Sequence, residues 1–316
     1  MTKIWAILTA AFALAVLFVL SAHYLGGSGD ITSEPNDAGL PGEPTRIVAL
    51  APNLTEILFE LGLGEKVVAV SSDSDYPAEA ADKRKVGTFW QPNVEAVIAA
   101  KPDLVVTLSF AQQKAAAQTL NRLGLKVLTV KIEKIEDLLA AIGRIAVVAG
   151  RRQQGQELLD RIKMQMDDLK SKFSSTRRAR VLWVVQAEPL RVASANTFIN
   201  ELIELAGGEN AIGRTISQYP QIGTEELLAC GPEVIIQSAM SKSDIGGQQR
   251  NAEVFWSKWP TLPAVKDKRI YVVESGTVLR LGPRLCTAIE LIGRCLHPAG
   301  PAREQNAEQQ VKLTDD

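Results

Sequence analysis

Val94–Ser109 reads VEAVIAAKPDLVVTLS, and Thr224–Ala239 reads TEELLACGPEVIIQSA. The two segments align without a gap at a constant offset of 130 residues, which sets Glu95 on Glu225 and Pro102 on Pro232. Each copy spells a short helix, a Lys-Pro or Gly-Pro stop, and an apolar run of strand length. Proline ends a helix because it lacks an amide hydrogen and disfavours helical geometry in the residue before it. The apolar run after it reads as a strand buried on both faces. Each copy also puts one glutamate in the first helical turn, where the helix dipole favours negative charge. A period this long does not build a solenoid. It predicts two similar α/β lobes, each with a glutamate at the same place.

The rest of the chain fits that scheme. At 316 residues it exceeds the usual span of one hydrophobic core. From Arg46 the pattern runs strand (RIVAL), helix Leu54–Leu61 with Asn53 as its N-cap, and strand Lys66–Val70. After the first repeat copy come helix Ala111–Leu123, strand Lys126–Val130 and helix Ile135–Ala149. Residues 45–150 therefore form a first lobe whose alternation predicts a parallel sheet covered by helices. Residues 151–175 are highly charged, with Leu158, Leu159, Ile162, Met166 and Leu169 as a thin apolar stripe at helical spacing. Such a helix suits a connector lying across two lobes. Residues 176–299 form the second lobe: strand RVLWVVQ from Arg180, helix Phe198–Leu205, the second repeat copy, helix Asn251–Lys258, strand Arg269–Val273, a loop Ser275–Arg284 and helix Leu285–Leu296. The fold class expected is thus α/β, with two Rossmann-like lobes of parallel sheet joined by one long α-helix.

The two ends read differently. Residues 1–22 carry Lys3, an uncharged apolar run over residues 4–20, then Ser21 and Ala22. That is an export signal, with cleavage near Ala22 as the first expectation and an inner-membrane anchor as the second. No cysteine follows the run, so lipid modification is not expected. Residues 23–44 read as a flexible linker and residues 300–316 as a disordered tail.

Several function classes drop out. A formal net charge of −1 offers no basic field for nucleic acid. His23 and His297 are the only histidines, too few for a histidine-based triad or a His-rich metal site. Cys230, Cys286 and Cys295 make no zinc spacing. Cys286 and Cys295 fall on opposite sides of one helix; Cys230 could reach either, although small buried thiols are the simpler reading. No phosphate loop and no GxSxG are present. An enzyme acting on a chelated metal or cofactor at the cleft would need a proton-transfer or metal-insertion residue, and no such set stands out.

In open α/β sheets ligands bind beyond the carboxyl ends of the strands. The loops expected there hold Tyr76, Phe89, Trp90, Tyr219 and Arg280. Aromatic side chains in cleft loops suit a large, flat, partly apolar ligand. Glu95 and Glu225, at matching points of two lobes, suit docking on a two-fold symmetric partner that carries arginines.

The segments RIVALAPNLTEILFELG, SDYP, PNVEAVIAAKPDLVV, ELAGGEN, YPQIGTEELLACGPEVII and LGPRLCTAIELIGRCLHP together resemble the helical-backbone (class III) periplasmic binding proteins of ABC importers, most of all their cobalamin-binding branch. The resemblance covers about residues 45–299. It implies a monomeric, exported, non-enzymatic protein without a cofactor of its own, which holds a ligand between its lobes. It also implies that Glu95 and Glu225 dock with arginines of the dimeric permease, and that Phe89 or Trp90 and Tyr219 line the pocket. The departures are Asp73, Gly276 and Thr277, where that branch can place aromatic or acidic-aromatic residues, and Arg191 at an otherwise apolar pocket position. They imply a more polar pocket. Haem and ferric siderophores stay open as ligands, with Tyr76 or Tyr219 able to offer a phenolate to iron. A single connecting helix implies little lobe movement on binding.

Overall fold

The computed structural model describes residues 42–174, 177–239 and 242–298. The expected export signal, almost all of the expected linker and the expected tail lie outside these residues. The first lobe contains β1 (Ile47–Ala49), α1 (Pro52–Glu60), β2 (Val67–Val70), α2 (Ala78–Ala81), β3 (Arg84–Lys85), α3 (Val94–Ala99), β4 (Leu104–Leu108), α4 (Ala111–Arg122), β5 (Val127–Val130) and α5 (Ile135–Val148). Its sheet has the order β3-β2-β1-β4-β5 with every pairing parallel. The apolar runs IVA and LVVTL are buried along their whole length, as strands covered on both faces must be. Asn53 is not the cap of α1. Pro52 occupies the first helical turn, where its missing amide costs nothing, and this moves the N-cap back to Ala51.

The connector α6 (Arg152–Lys172) has 21 residues and is roughly 32 Å long. It buries Gly155, Leu158 and Ile162. Gly155 permits close packing on α5: a Cβ there would lie 2.3 Å from the Ala146 Cβ.

The second lobe contains β6 (Ala179–Gln186), β7 (Arg191–Val192), α7 (Phe198–Leu205), β8 (Gly208–Asn210), α8 (Thr224–Cys230), β9 (Val234–Ser238), α9 (Ile245–Trp256), α10 (Pro263–Lys266), β10 (Ile270–Val273), α11 (Ser275–Val278) and α12 (Leu285–Leu296). The strands β10-β9-β6-β7 lie in that order, with β8 also on β6. All pairings are parallel except β6 with β7, so the expectation of parallel sheets needs that one correction. Helix α9 starts six residues before the expected Asn251, because the Asp244 carboxylate caps it by accepting from the Gly247 amide at 2.8 Å. The expected loop Ser275–Arg284 begins with α11, held by the Glu274 carboxylate, which accepts from the Gly276 and Thr277 amides.

The repeat persists in the backbone, with α8 one residue longer than α3. Helices α3 and α8 start at the same repeat position, as do β4 and β9. Lys101 and Gly231, the residues before the two prolines, both adopt left-handed backbone, with φ of 50° and 46°. Apolar packing falls into three clusters. One covers the outer face of the first sheet (Val48, Leu50, Val105, Leu120) and one covers a face of the second (Leu182, Ile235, Trp256, Val272). The third is continuous between the lobes, running from Ile47, Leu58 and Leu138 through Leu158 to Trp183, Ile203 and Ile292.

Candidate ligand cleft

The loop Ser71–Pro77 follows β2 and is fixed from below. Ser71, Ser74 and Thr55 form a buried hydroxyl chain with spacings of 2.9 and 3.0 Å, and Thr55 donates to the Ala51 carbonyl at 3.1 Å. Lys85 donates to the carbonyls of Ser74 and Ala80. Asp73, read from sequence as a polar pocket residue, accepts from the Phe89 amide at 2.6 Å and so ties this loop to the next one.

The loop Val86–Pro92 separates the two aromatics that sequence could not rank. Phe89 packs against the shared core, whereas Trp90 is 60% exposed. Phe89, Trp90 and Phe110 form a ring cluster with centroids 4.9 to 5.4 Å apart. Below them Gln113 is fully buried and uses its whole amide. It donates to the carbonyls of Leu50 and Phe89 at 2.7 and 3.0 Å, and accepts from the Thr107 hydroxyl and the Leu108 amide at 2.6 and 2.8 Å. Phe110 and Gln113 were not legible as site residues: a phenylalanine before a helix and a glutamine within one carry no signal of their own.

The Tyr76 and Arg280 loops meet across the two lobes. Arg280 forms an ion pair with Asp75 and donates to the Asp73 carbonyl at 3.0 Å. Arg280, expected from the sequence to serve the ligand, thus also ties its loop to the opposite lobe. Beside it, Arg284 donates twice to the Glu56 carboxylate, at 3.0 and 2.6 Å, and also to the Gly276 carbonyl and the Thr277 hydroxyl. The Arg284 guanidinium lies 4.1 Å from the Tyr76 ring centroid, a cation–π contact that leaves Tyr76 42% exposed. Asn53 donates to the Leu281 carbonyl at 3.0 Å, also from lobe to lobe. Burial raises the Glu56 carboxyl above its ordinary value, and the hydrogen bond and charge of Arg284 oppose that rise. Burial acts to lower the Arg284 guanidinium, but its bond and charge contact with Glu56 outweigh this and hold it above its ordinary value. On the far side of the lobe junction the Ile135 amide, at the start of α5, donates to Glu201 of α7 at 2.9 Å.

In the second lobe Tyr219 is half-buried against the shared core, and burial pushes its phenol pKa up. That shift works against a phenolate at this position. Strand β7 is zipped to the Tyr219 loop by Val192 N–H to Pro220 O at 3.1 Å and Ile222 N–H to Leu190 O at 3.0 Å. Exposed Arg191 stands beside that loop, its backbone bridged to Gln221. Glu95 and Glu225 are exposed in the first turns of α3 and α8.

His297 stacks on Phe173 and contacts the Ala206 carbonyl at 3.0 Å, a packing role away from the cleft loops. The three cysteines are free thiols, with burial pushing Cys286 up to about 11 and Cys295 up to about 12. Among the described residues no group of three or more His, Cys, Asp or Glu side chains could hold a metal ion.

A sequence profile of the family described as "Periplasmic binding protein" matches residues 47–276. The "Vitamin B12-binding protein" of Vibrio parahaemolyticus is 29% identical over 252 residues, covering 79% of this chain and 89% of the relative. An uncharacterized ABC transporter substrate-binding lipoprotein of Bacillus subtilis is 30% identical over 269 residues, covering 83% of each. Among solved structures, the periplasmic vitamin B12-binding protein BtuF of Vibrio cholerae superimposes with a TM-score of 0.69 at 26% identity, covering 80% of this chain and 96% of that one. The periplasmic haem-binding protein BhuT, in complex with two haems, gives 0.72 at 25% identity, covering 81% and 98%.

Proposed function

Because the chain belongs to the periplasmic binding protein family, whose members serve ABC importers as binding proteins and not as enzymes, we propose that its cargo is a corrinoid of the cobalamin class, held between the lobes. The observation that supports this reading is Trp90. A large indole exposed at a cleft, mounted on Phe89 and Phe110 and fixed from below by Gln113, is a rigid face for a broad, flat ligand. Tyr76, Tyr219 and Arg191 complete the ligand surface, with Arg280 bridging the lobes beneath it. The ligand is cargo, and the protein works as a monomer without a cofactor of its own. Glu95 and Glu225 dock with the permease dimer. Residues 4–20 direct export to the periplasm; among the described residues no helix is long and apolar enough to cross a membrane.

Haem is the second reading, favoured by the exposed Tyr76 phenol and by the likeness to haem-binding BhuT. Titration of the purified protein with cyanocobalamin, hemin and a ferric siderophore decides between them. The corrinoid reading expects saturable tryptophan quenching with cyanocobalamin, weakened at least about tenfold in Trp90→Ala, since one stacking contact can supply that factor. A stoichiometric Soret shift with hemin that Tyr76→Phe abolishes, without cyanocobalamin binding, would overturn it.

A further inference from the structure

The repeat carries more than its glutamates. In α3, Glu95, Ile98 and Ala99 are exposed while Val97 is buried; in α8, Glu225, Leu228 and Ala229 are exposed while Leu227 is buried. Ile98 is 41% exposed and Leu228 46%. Each lies three residues after its glutamate, and side chains at that spacing share a helix face. Single exposed apolar residues need no explanation. Here, however, the two sit at the same repeat position. Among the exposed large apolar side chains of the described residues, no other pair is separated by the repeat offset of 130.

Each helix leads into the amino end of a strand paired in parallel with its neighbours, β4 or β9. Each is followed, at the same repeat position, by a left-handed residue and a proline, Lys101-Pro102 or Gly231-Pro232, so the two faces are presented in a similar way by the two lobes. We propose that Ile98 and Leu228 are the apolar halves of two equivalent docking points on the permease dimer, each inserting beside the cation that pairs with Glu95 or Glu225. The inference rests on the docking reading above. It specifies the partner: a two-fold symmetric surface with a basic group and an apolar recess on each half. The glutamates then set orientation and rate of encounter, while the apolar pair slows release.

The test measures binding of the full-length protein to its cognate permease–ATPase complex in nanodiscs, at low and at high salt. Wild type is compared with Ile98→Ser, Leu228→Ser, Ile98→Leu and the double variant Glu95→Gln/Glu225→Gln. Each serine variant should bind roughly tenfold more weakly at both salt concentrations, through faster release. Ile98→Leu should bind like wild type, and cyanocobalamin affinity should be unchanged in Ile98→Ser and Leu228→Ser, which shows that the fold is intact. The glutamine variant should lose most at low salt, because screening weakens exposed charge pairs. If the glutamine variant weakens and the serine variants do not, the apolar pair has no docking role. If the glutamine variant binds like wild type, the docking reading itself falls. Wild-type self-association in the ultracentrifuge that the serine variants abolish would assign the apolar pair to a second copy of this chain and overturn the proposal.

Discussion

Arg284→Met isolates the contact that joins the two lobes under the cleft. Methionine keeps an unbranched apolar stem, shorter than that of arginine, and removes the charge and the donors. It leaves Glu56, 2% exposed, without its two charged hydrogen bonds. Removing one partner of a buried pair costs about 3–5 kcal/mol, because the other charge stays buried without compensation. The Arg284 side chain is itself 17% exposed and also binds the Gly276 carbonyl and the Thr277 hydroxyl, so the loss reaches into the second lobe as well. Glu56→Leu/Arg284→Met should recover the loss, since replacing both members by packed apolar side chains is neutral or stabilising by about 1–4 kcal/mol. Urea unfolding followed by tryptophan fluorescence and circular dichroism in parallel measures this and checks that the transitions coincide. A cost under about 1 kcal/mol for the single variant would show that solvent reaches the pair and that it behaves as a surface contact. A double variant as unstable as the single one would show that the loss came from the contacts within the second lobe.

The same carboxyl predicts a pH effect. Burial holds its folded pKa above the ordinary 4.5, so on acidification the native state takes up this proton before the unfolded chain does. That uptake adds stability as pH falls from the folded pKa towards 4.5 and adds nothing below it. Wild type should therefore lose stability relative to Glu56→Gln as pH rises above 4.5, and parallel urea titrations showing the opposite slope would refute the assigned direction. Gly155→Ala should destabilise by about 1–3 kcal/mol in thermal unfolding, although alanine is the better helix former, because its Cβ meets Ala146; an increase in melting temperature would refute the close approach of α5 and α6. Spin labels on the two lobes should move by less than about 2 Å when cyanocobalamin binds; a larger change would show that the shared core yields as a hinge.

The lobes, the connector and the paired glutamates were legible because each has a local signal: a helix–proline–strand unit repeated in register, or a thin stripe on a charged helix. What escaped has no local signal. Glu56 and Arg284 are 228 residues apart, and neither differs in its own neighbourhood from an exposed charge. Arg280 was legible as a residue of a cleft loop, but its partner Asp75 is visible only once the lobes are assembled. Gln113 reads as a solvated helix position and is a buried four-way clasp. The start of α9 was hidden by Gly246 and Gly247, weak helix formers that the Asp244 cap overrides. Trp90 and Phe89 were found together, and only packing tells the exposed ring from the one set against the core.

The core that runs between the lobes also governs the order in which the molecule can be completed. Ile47 and Leu58, near the beginning of the described residues, share a cluster with Ile289, Ile292 and Leu296 of α12. A chain emerging from a ribosome or a translocation pore therefore keeps part of its first lobe uncovered until α12 arrives. Stopping before α12 removes more than a terminal helix. It strips apolar cover from the connector, where Cys286 packs against Ile162, and leaves a surface prone to association. Docking of α12 is therefore the step that completes the apolar cover of both lobes.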